Sequence, residues 1–207
     1  AGLAALAGTA GGCLWRVGCE PTSAWRDPPV VADRPDAIYV PAIIGGMRPV
    51  GMVEVGPLTV MISYSYPHRF YRITGDARRV VPVTATDSIH LMLSVTATAT
   101  GVPVVVPSGV TVAVERGGQP VTEEVVYPML SQQMGVHYGG NIALDGAGEY
   151  EARIGIGGLS MRCTGDFEGA FDSPETAVIP FEFEPDQLSE ISISEPENAG
   201  EHGAVPA

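Results

Sequence analysis

Short apolar runs separated by glycine- and proline-containing turns fill the middle of this chain, and they constrain its fold more than any other feature. In Glu149–Ile156, the apolar residues Tyr150, Ala152, Ile154 and Ile156 alternate with polar residues or glycine. Residues two apart on a β-strand point to the same face, so this alternation predicts a strand with one buried and one wet side. The other predicted strands are Ala37–Val40, Leu58–Ser65, Arg79–Val83, Ser88–Ala97, Val110–Glu115, Val121–Tyr127, Asn141–Leu144 and Thr176–Phe183. The pattern predicts an all-β, antiparallel sandwich without long helices.

The length of 207 residues suits one such domain with flanking segments. We expect the sandwich to span residues 36–184. Residues 14–35 contain several prolines and no periodicity, which is typical of a tether. Residues 185–207 are acidic, lack arginine and predict a disordered, solvated tail.

The first twelve residues are small and mostly apolar, and they end at Cys13. The stretch is shorter than the roughly 20 apolar residues of a membrane span, and we interpret residues 1–13 as the remnant of a signal segment. Small residues before a cysteine resemble a lipobox, in which Cys13 would carry a lipid anchor. We therefore expect an extracytoplasmic lipoprotein at the outer face of the cytoplasmic membrane. The alternative is a flexible leader with an incidental cysteine.

The two other cysteines, Cys19 and Cys163, leave more than one interpretation open. They could form a disulfide outside the cell. Cys163 could instead be a small buried apolar residue or a metal ligand.

The net charge of −13 argues against nucleic-acid binding, which needs a clustered basic surface. All 11 basic residues are arginine, against 24 acidic residues. This bias is familiar in extreme halophiles, and we expect a halophilic, archaeal source. The alternative is an ordinary acidic secreted domain.

The predicted strand Ser88–Ala97 carries a histidine and a methionine on one face. Ile89, Leu91 and Leu93 share one side, while His90 and Met92 share the other. Residues two apart on a strand are about 6.5–7 Å apart, so both side chains could reach one site. Packing and surface roles are the simpler interpretation of this pair.

A second segment, Tyr127–Asn141, contains Met129 and His137. We expect a strand to end near Met129 and a loop to return through His137, with Gly139 and Gly140 forming a tight turn behind the imidazole. A thioether and an imidazole suit copper, and imidazole also binds iron and zinc.

These segments resemble the periplasmic ferrous-iron-uptake proteins, which include membrane-anchored lipoproteins. The resemblance rests on Pro128–Met129 with His137–Asn141, on Ser88–Leu91, and on Ile38–Ile44 followed by Met47 and Gly51. It covers roughly residues 36–183 and is specific only from Met129 to Gly139. It implies an immunoglobulin-like sandwich, a homodimer, a surface site for copper, iron or zinc, and a membrane iron permease as partner.

Carried over by position, the resemblance implies metal ligands at His90, Met129 and His137. Where the family usually has a carboxylate, this chain has Met92, which would soften the site toward Cu(I). The family's late histidine has no counterpart here. For the fourth ligand, Met92 is the first choice, followed by Met134, Cys163 or water, and then by His68.

Two further histidines receive lesser roles. His68 follows an aromatic-rich stretch and is interpreted as a packing residue at the rim, with a supporting or second metal-binding role as the alternative. His202 lies in the acidic tail and is discounted.

No nucleophile elbow, phosphate loop, dinucleotide fingerprint or HExxH motif is present in the sequence, so we expect no enzyme. The sequence instead predicts an extracytoplasmic copper- or iron-binding accessory of high-affinity iron uptake. The alternatives are a structural or adhesive surface domain without metal, and a copper chaperone or sensor.

Overall fold

The computed structural model describes residues 37–39, 43–44, 47–68, 70–74, 77–131, 134–190, 193–194 and 204–206. Its strands are β1 (Ala37–Tyr39), β2 (Ile43–Ile44), β3 (Arg48–Val55), β4 (Leu58–Ser65), β5 (Phe70–Thr74), β6 (Ala77–Val81), β7 (Asp87–Ala97), β8 (Val110–Arg116), β9 (Gln119–Ser131), β10 (Gly135–Ala143), β11 (Gly148–Ile156), β12 (Glu175–Phe183), β13 (Ile193–Ser194) and β14 (Ala204–Pro206). Two short 3-10 helices, Gly165–Phe167 and Pro185–Glu190, are the only helices in this part of the chain. The prediction of an all-β protein is confirmed.

Eight antiparallel strands form one sheet in the order β12-β11-β8-β9-β10-β7-β4-β3. Strand β9 is long enough to serve both halves of this sheet, because its first part pairs with β8 and its last part with β10. The edge strands also meet, since a Cβ on Gly51 of β3 would lie only 2.5 Å from Ile179 Cγ2 of β12. The sheet therefore folds over on itself into a sandwich-like, nearly closed barrel.

The core lies between the two halves of this folded sheet. Alternate side chains of β4, β7, β8, β11 and β12 point inward and form one apolar cluster. On β7 these inward residues are Ile89, Leu91, Leu93 and Val95, each at most 1% exposed. The predicted alternation in Glu149–Ile156 is borne out by β11, whose inward residues are buried.

The structure differs from the prediction in several places. Strand β3 was not predicted, because Pro49 and Gly51 interrupt its sequence as turn residues would. Strands β9 and β10 are longer than predicted and replace the loop expected between Met129 and His137. Gly139 and Gly140 lie inside β10, so the tight turn expected there is wrong.

The predicted division into tether, domain and tail stays a prediction, since residues 1–36 lie outside the described residues. Within the predicted tail, the 3-10 helix Pro185–Glu190 packs near β4, where the Tyr64 hydroxyl donates a hydrogen bond to Gln187 Oε1 at 2.8 Å. Strands β13 and β14 pair with β2 and β1.

Candidate metal centre

Strand β7 places His90 on the outer face of the sheet, opposite to the apolar core. His90 stands between Asn141 on β10 and Ser65 on β4 in the strand register. Directly opposed residues in an antiparallel pair point to the same face, so these three side chains share the outer face. His90 is nevertheless only 1% exposed. At His90, the outer face of β7 is therefore covered as fully as its core face.

The β9–β10 hairpin brings the second pair of predicted ligands together. Met129 lies directly opposite His137 in the register of the two strands. The hairpin turns at Gly135, whose φ of +66° is a conformation that favours glycine. His137 is 5% exposed. The two predicted ligands are thus cross-strand neighbours on the ladder of β9 and β10.

Gly139 has no side chain, and His90 of β7 and Met129 of β9 approach its backbone from two sides. A Cβ at Gly139 would lie 2.7 Å from His90 Nε2 and 3.1 Å from Met129 Sδ. An imidazole nitrogen and a thioether sulfur therefore face one small space over the backbone of β10. A glycine inside a strand often marks such a close approach. Gly139 therefore permits this close approach, and it does not form the turn that we predicted from the sequence.

Three histidines of this region have the same hydrogen-bonding arrangement. The Nδ1 atom of His90 lies 2.9 Å from Asn141 Oδ1, that of His137 lies 3.0 Å from the Gly135 carbonyl oxygen, and that of His68 lies 3.1 Å from the Tyr66 carbonyl oxygen. These oxygens only accept hydrogen bonds, so each Nδ1 carries a hydrogen, and in the neutral form of the ring the lone pair is on Nε2. Metal-binding histidines are usually held in this way.

Asn141 organises two of these rings. Its Nδ2 donates to the His68 carbonyl oxygen at 2.9 Å, which fixes the amide orientation, and its Oδ1 accepts from the His68 backbone N–H at 3.3 Å. The same Oδ1 accepts from His90. The rings of His68 and His90 are in turn 4.0 Å apart between centroids and tilted by 41°. His68 therefore belongs to the cluster. The first interpretation from the sequence was different, because it made His68 a packing residue at the rim.

The environment keeps two of the imidazoles neutral. Burial lowers the pKa of His90 well below the usual histidine value, and the nearby His68 and His137 lower this pKa further, while the hydrogen bond that His90 donates to Asn141 partly raises it. Burial also lowers the pKa of His68. A neutral imidazole is the form that binds a metal ion.

The β5–β6 hairpin covers the outer face at this point. The Phe70 ring packs edge-on against His90, with ring centroids 5.6 Å apart, and lies 5.9 Å from the Tyr127 ring. The Arg72 guanidinium lies 4.4 Å from the centre of the Tyr127 ring. These contacts remove His90 from solvent and place aromatic side chains around its ring.

The other predicted ligands are placed differently. Met92 is 7% exposed and lies opposite Gly139 on the same face as His90, but its sulfur is not among the three atoms nearest to the Gly139 space. Cys163 carries a free thiol and lines an apolar cavity of about 310 Å³ beside Ala97, at the far end of β7 from His90. Cys163 is therefore not part of this cluster. Met134 adjoins Gly135 in the hairpin turn. Cys13, Cys19 and His202 lie outside the described residues.

The donor set fits a soft metal ion better than a hard one. In the described part of the chain, no group of three or more His, Cys, Asp or Glu side chains is arranged to hold a metal ion. The Met129 thioether lies near the His90 imidazole, and this combination of donors suits copper. Because Gly139 has no side chain, His90 Nε2 and Met129 Sδ can approach the same point over β10.

Comparison with known proteins gives a fold and no sequence family. No family model matches the chain, and no curated protein matches it. Two solved structures of FetP from uropathogenic Escherichia coli are 21% identical to it, cover 67% of this chain and 97% of their own, and give TM-scores of 0.51 and 0.52; the second is a copper-bound variant. A copper-bound variant of P19 from Campylobacter jejuni is 18% identical over 66% of this chain and 96% of its own, with a TM-score of 0.49.

No helix within the described residues is long and apolar enough to cross a membrane.

At 21% identity, the similarity to FetP establishes only the fold that the two chains share.

Proposed function

We propose that this protein binds a transition metal ion, copper in preference to iron, through His90 Nε2, Met129 Sδ and His137 Nε2. The observation that carries the proposal is the convergence of His90 Nε2 and Met129 Sδ on the space over Gly139. The hydrogen bonds at each Nδ1 support it, because they leave each Nε2 lone pair available. The copper-bound FetP variant, which has a similar fold, gives independent support.

The preference for copper follows from the chemistry of the donors. A thioether is a soft ligand that favours Cu(I), whereas Fe(II) is better served by carboxylates and imidazoles. Position 92, where the resembled family has a carboxylate, is a methionine in this chain. The proposed site is therefore softer than that of the family, and Cu(I) is its preferred form.

The protein's residues would bind and shield the ion and would not turn over a substrate. His90 and His68 are neutral because of burial, so the ion does not have to displace protons from them. Phe70 and Tyr127 limit access of water to the His90 side. We propose that the protein is a metal-binding protein and not an enzyme.

We further propose an extracytoplasmic role as an accessory of high-affinity iron uptake, in which the protein works beside a membrane iron permease. This part of the proposal and the homodimer rest on the family resemblance, whereas attachment to the membrane through Cys13 rests on the lipobox-like small residues that precede it. A copper chaperone or sensor is the second candidate, and the soft donor pair at Gly139 favours it.

A metal titration with matched methionine variants tests the proposal. We expect the purified full chain to bind one equivalent of Cu(I) or Cu(II) at this site more tightly than Fe(II). Met129→Leu should weaken Cu(I) binding at least about tenfold, because it removes the thioether while conserving volume. Met161→Leu is the control, since Met161 is 43% exposed and lies beside Cys163. Equal, weak binding by all three proteins would favour a structural domain without metal.

A further inference from the structure

A second pair of methionines, Met92 and Met47, lies on the same outer face, on either side of Ser63 of β4. Met92 on β7 stands directly opposite Ser63 on β4. Side chains opposed in this way have Cβ atoms about 4.5–5.5 Å apart. Met47, which precedes β3, reaches the same serine from the other side, because the Ser63 hydroxyl donates a hydrogen bond to Met47 Sδ at 3.2 Å. Two methionine side chains therefore flank one hydroxyl.

This arrangement is buried and uncharged. Ser63 is 1% exposed and Met92 is 7% exposed, whereas Met47 is only partly buried. A thioether is a weak hydrogen-bond acceptor, so the Ser63–Met47 contact is easily exchanged for a stronger interaction of the sulfur. Thioether ligands select soft cations of low charge such as Cu(I). A divalent ion would gain little from two neutral sulfurs.

We propose that Met47 and Met92 form a second binding site, which takes a soft monovalent cation, Cu(I) or Ag(I), through their two sulfurs beside Ser63. This site is separate from that of His90 and Met129 and does not require it. Met92 is then a ligand of the second site and not the fourth ligand of the first. Because Met47 is the more exposed member of the pair, a cation enters from the Met47 side.

Ag(I) is the probe, since it shares the charge and softness of Cu(I) and does not change oxidation state. The full chain is labelled with 13C in the methionine methyl groups, and single Met→Leu variants assign the signals. We expect Ag(I) to shift the Met47 and Met92 signals together and the Met129 signal separately. Met47→Leu should abolish the Met92 shift and leave the Met129 shift intact. Leucine nearly conserves methionine volume, so these variants should fold.

Two further variants separate this proposal from the first one. In Met129→Leu, the Met47 and Met92 signals should still shift with Ag(I), even if the proposed function is wrong. Met161→Leu should change none of these shifts. The inference is overturned if the Met47 signal never moves. It is also overturned if the Met92 shift survives in Met47→Leu and disappears in Met129→Leu, because Met92 then belongs to the first site.

Discussion

Around His90, the two faces of strand β7 are buried to nearly the same degree but carry opposite kinds of side chain. On the inner face, Leu91 and Leu93 are fully buried in the aliphatic core. On the outer face, His90 is 1% exposed, yet it packs against His68, Phe70 and a hydrogen-bonded asparagine. Burial on the inner face stabilises the fold. Burial on the outer face instead keeps imidazoles neutral and fixed, which is what a binding site needs.

The distinction between the two faces of β7 fails if residues of the inner face also control copper binding. Leu93→Ala should lower the free energy of unfolding by about 2–5 kcal/mol, because it leaves a cavity in the core. The copper affinity of the folded fraction should stay close to that of the unaltered protein. Chemical denaturation and copper titration of the same sample measure both quantities. Ser94→Ala, on the partly exposed outer face of β7, is the control and should change stability by less than about 0.5 kcal/mol.

Substitutions on the outer face should instead change copper affinity strongly. Replacing both proposed imidazole ligands, as His90→Ala/His137→Ala, should weaken copper binding by more than about 100-fold, since even supporting residues of metal sites contribute 10–100-fold. His202→Ala is the matched histidine control. Competition against a chelator of known affinity measures the change, and an unaltered affinity in the double variant would remove His90 and His137 from the site.

A smaller effect should come from the residue that orients His90. Asn141→Leu removes the acceptor of the His90 Nδ1 hydrogen and should weaken copper binding about 10–100-fold. Asn141→Asp keeps an acceptor at this position and should recover most of the affinity. If the two variants bind copper equally well, orientation of His90 by residue 141 is not important.

The smallest effect concerns stability without metal. Because the pKa of His90 and that of His68 are lowered in the folded protein, the unfolded chain binds more protons at these residues as pH falls below about 6.5. The free energy of unfolding should therefore decrease from pH 7 to pH 5. The decrease should be shallower in His90→Gln, which cannot titrate at this position. Denaturant midpoints across this range measure the slope, and parallel slopes would contradict the account.

Much of the fold could be predicted from the sequence because alternation reports burial directly. Strand β4 was predicted with its observed bounds, and β11 begins one residue earlier than predicted. Alternation gives only the side on which a residue lies, however, and not what covers that side. The outer face of β7 is covered by Phe70, which belongs to a strand that the periodicity did not predict.

The site was only partly predictable for the same reason. His90, Met129 and His137 were identified from residue type and family resemblance, but the contact of His68 with His90 depends on strand pairing. Ser65, at the end of β4, lies opposite His90, so the chain that follows it must pass over the histidine ring. With the pairing of β4 and β7 known, the position of Ser65 opposite His90 could have identified His68 as a neighbour of His90.

The central claim is that the metal ion binds where His90 Nε2 and Met129 Sδ approach Gly139, and two neighbouring glycines on β10 test it directly. Gly139→Ala places a methyl group 2.7 Å from His90 Nε2 and 3.1 Å from Met129 Sδ, whereas the nearest side-chain atom to a Cβ at Gly140 is Val126 Cγ1, at 3.5 Å. The measurement is a Cu(I) titration of both variants, with folding checked by circular dichroism. We predict that Gly139→Ala folds but loses copper binding, while Gly140→Ala binds like the unaltered protein. Undiminished Cu(I) binding by folded Gly139→Ala would contradict the account.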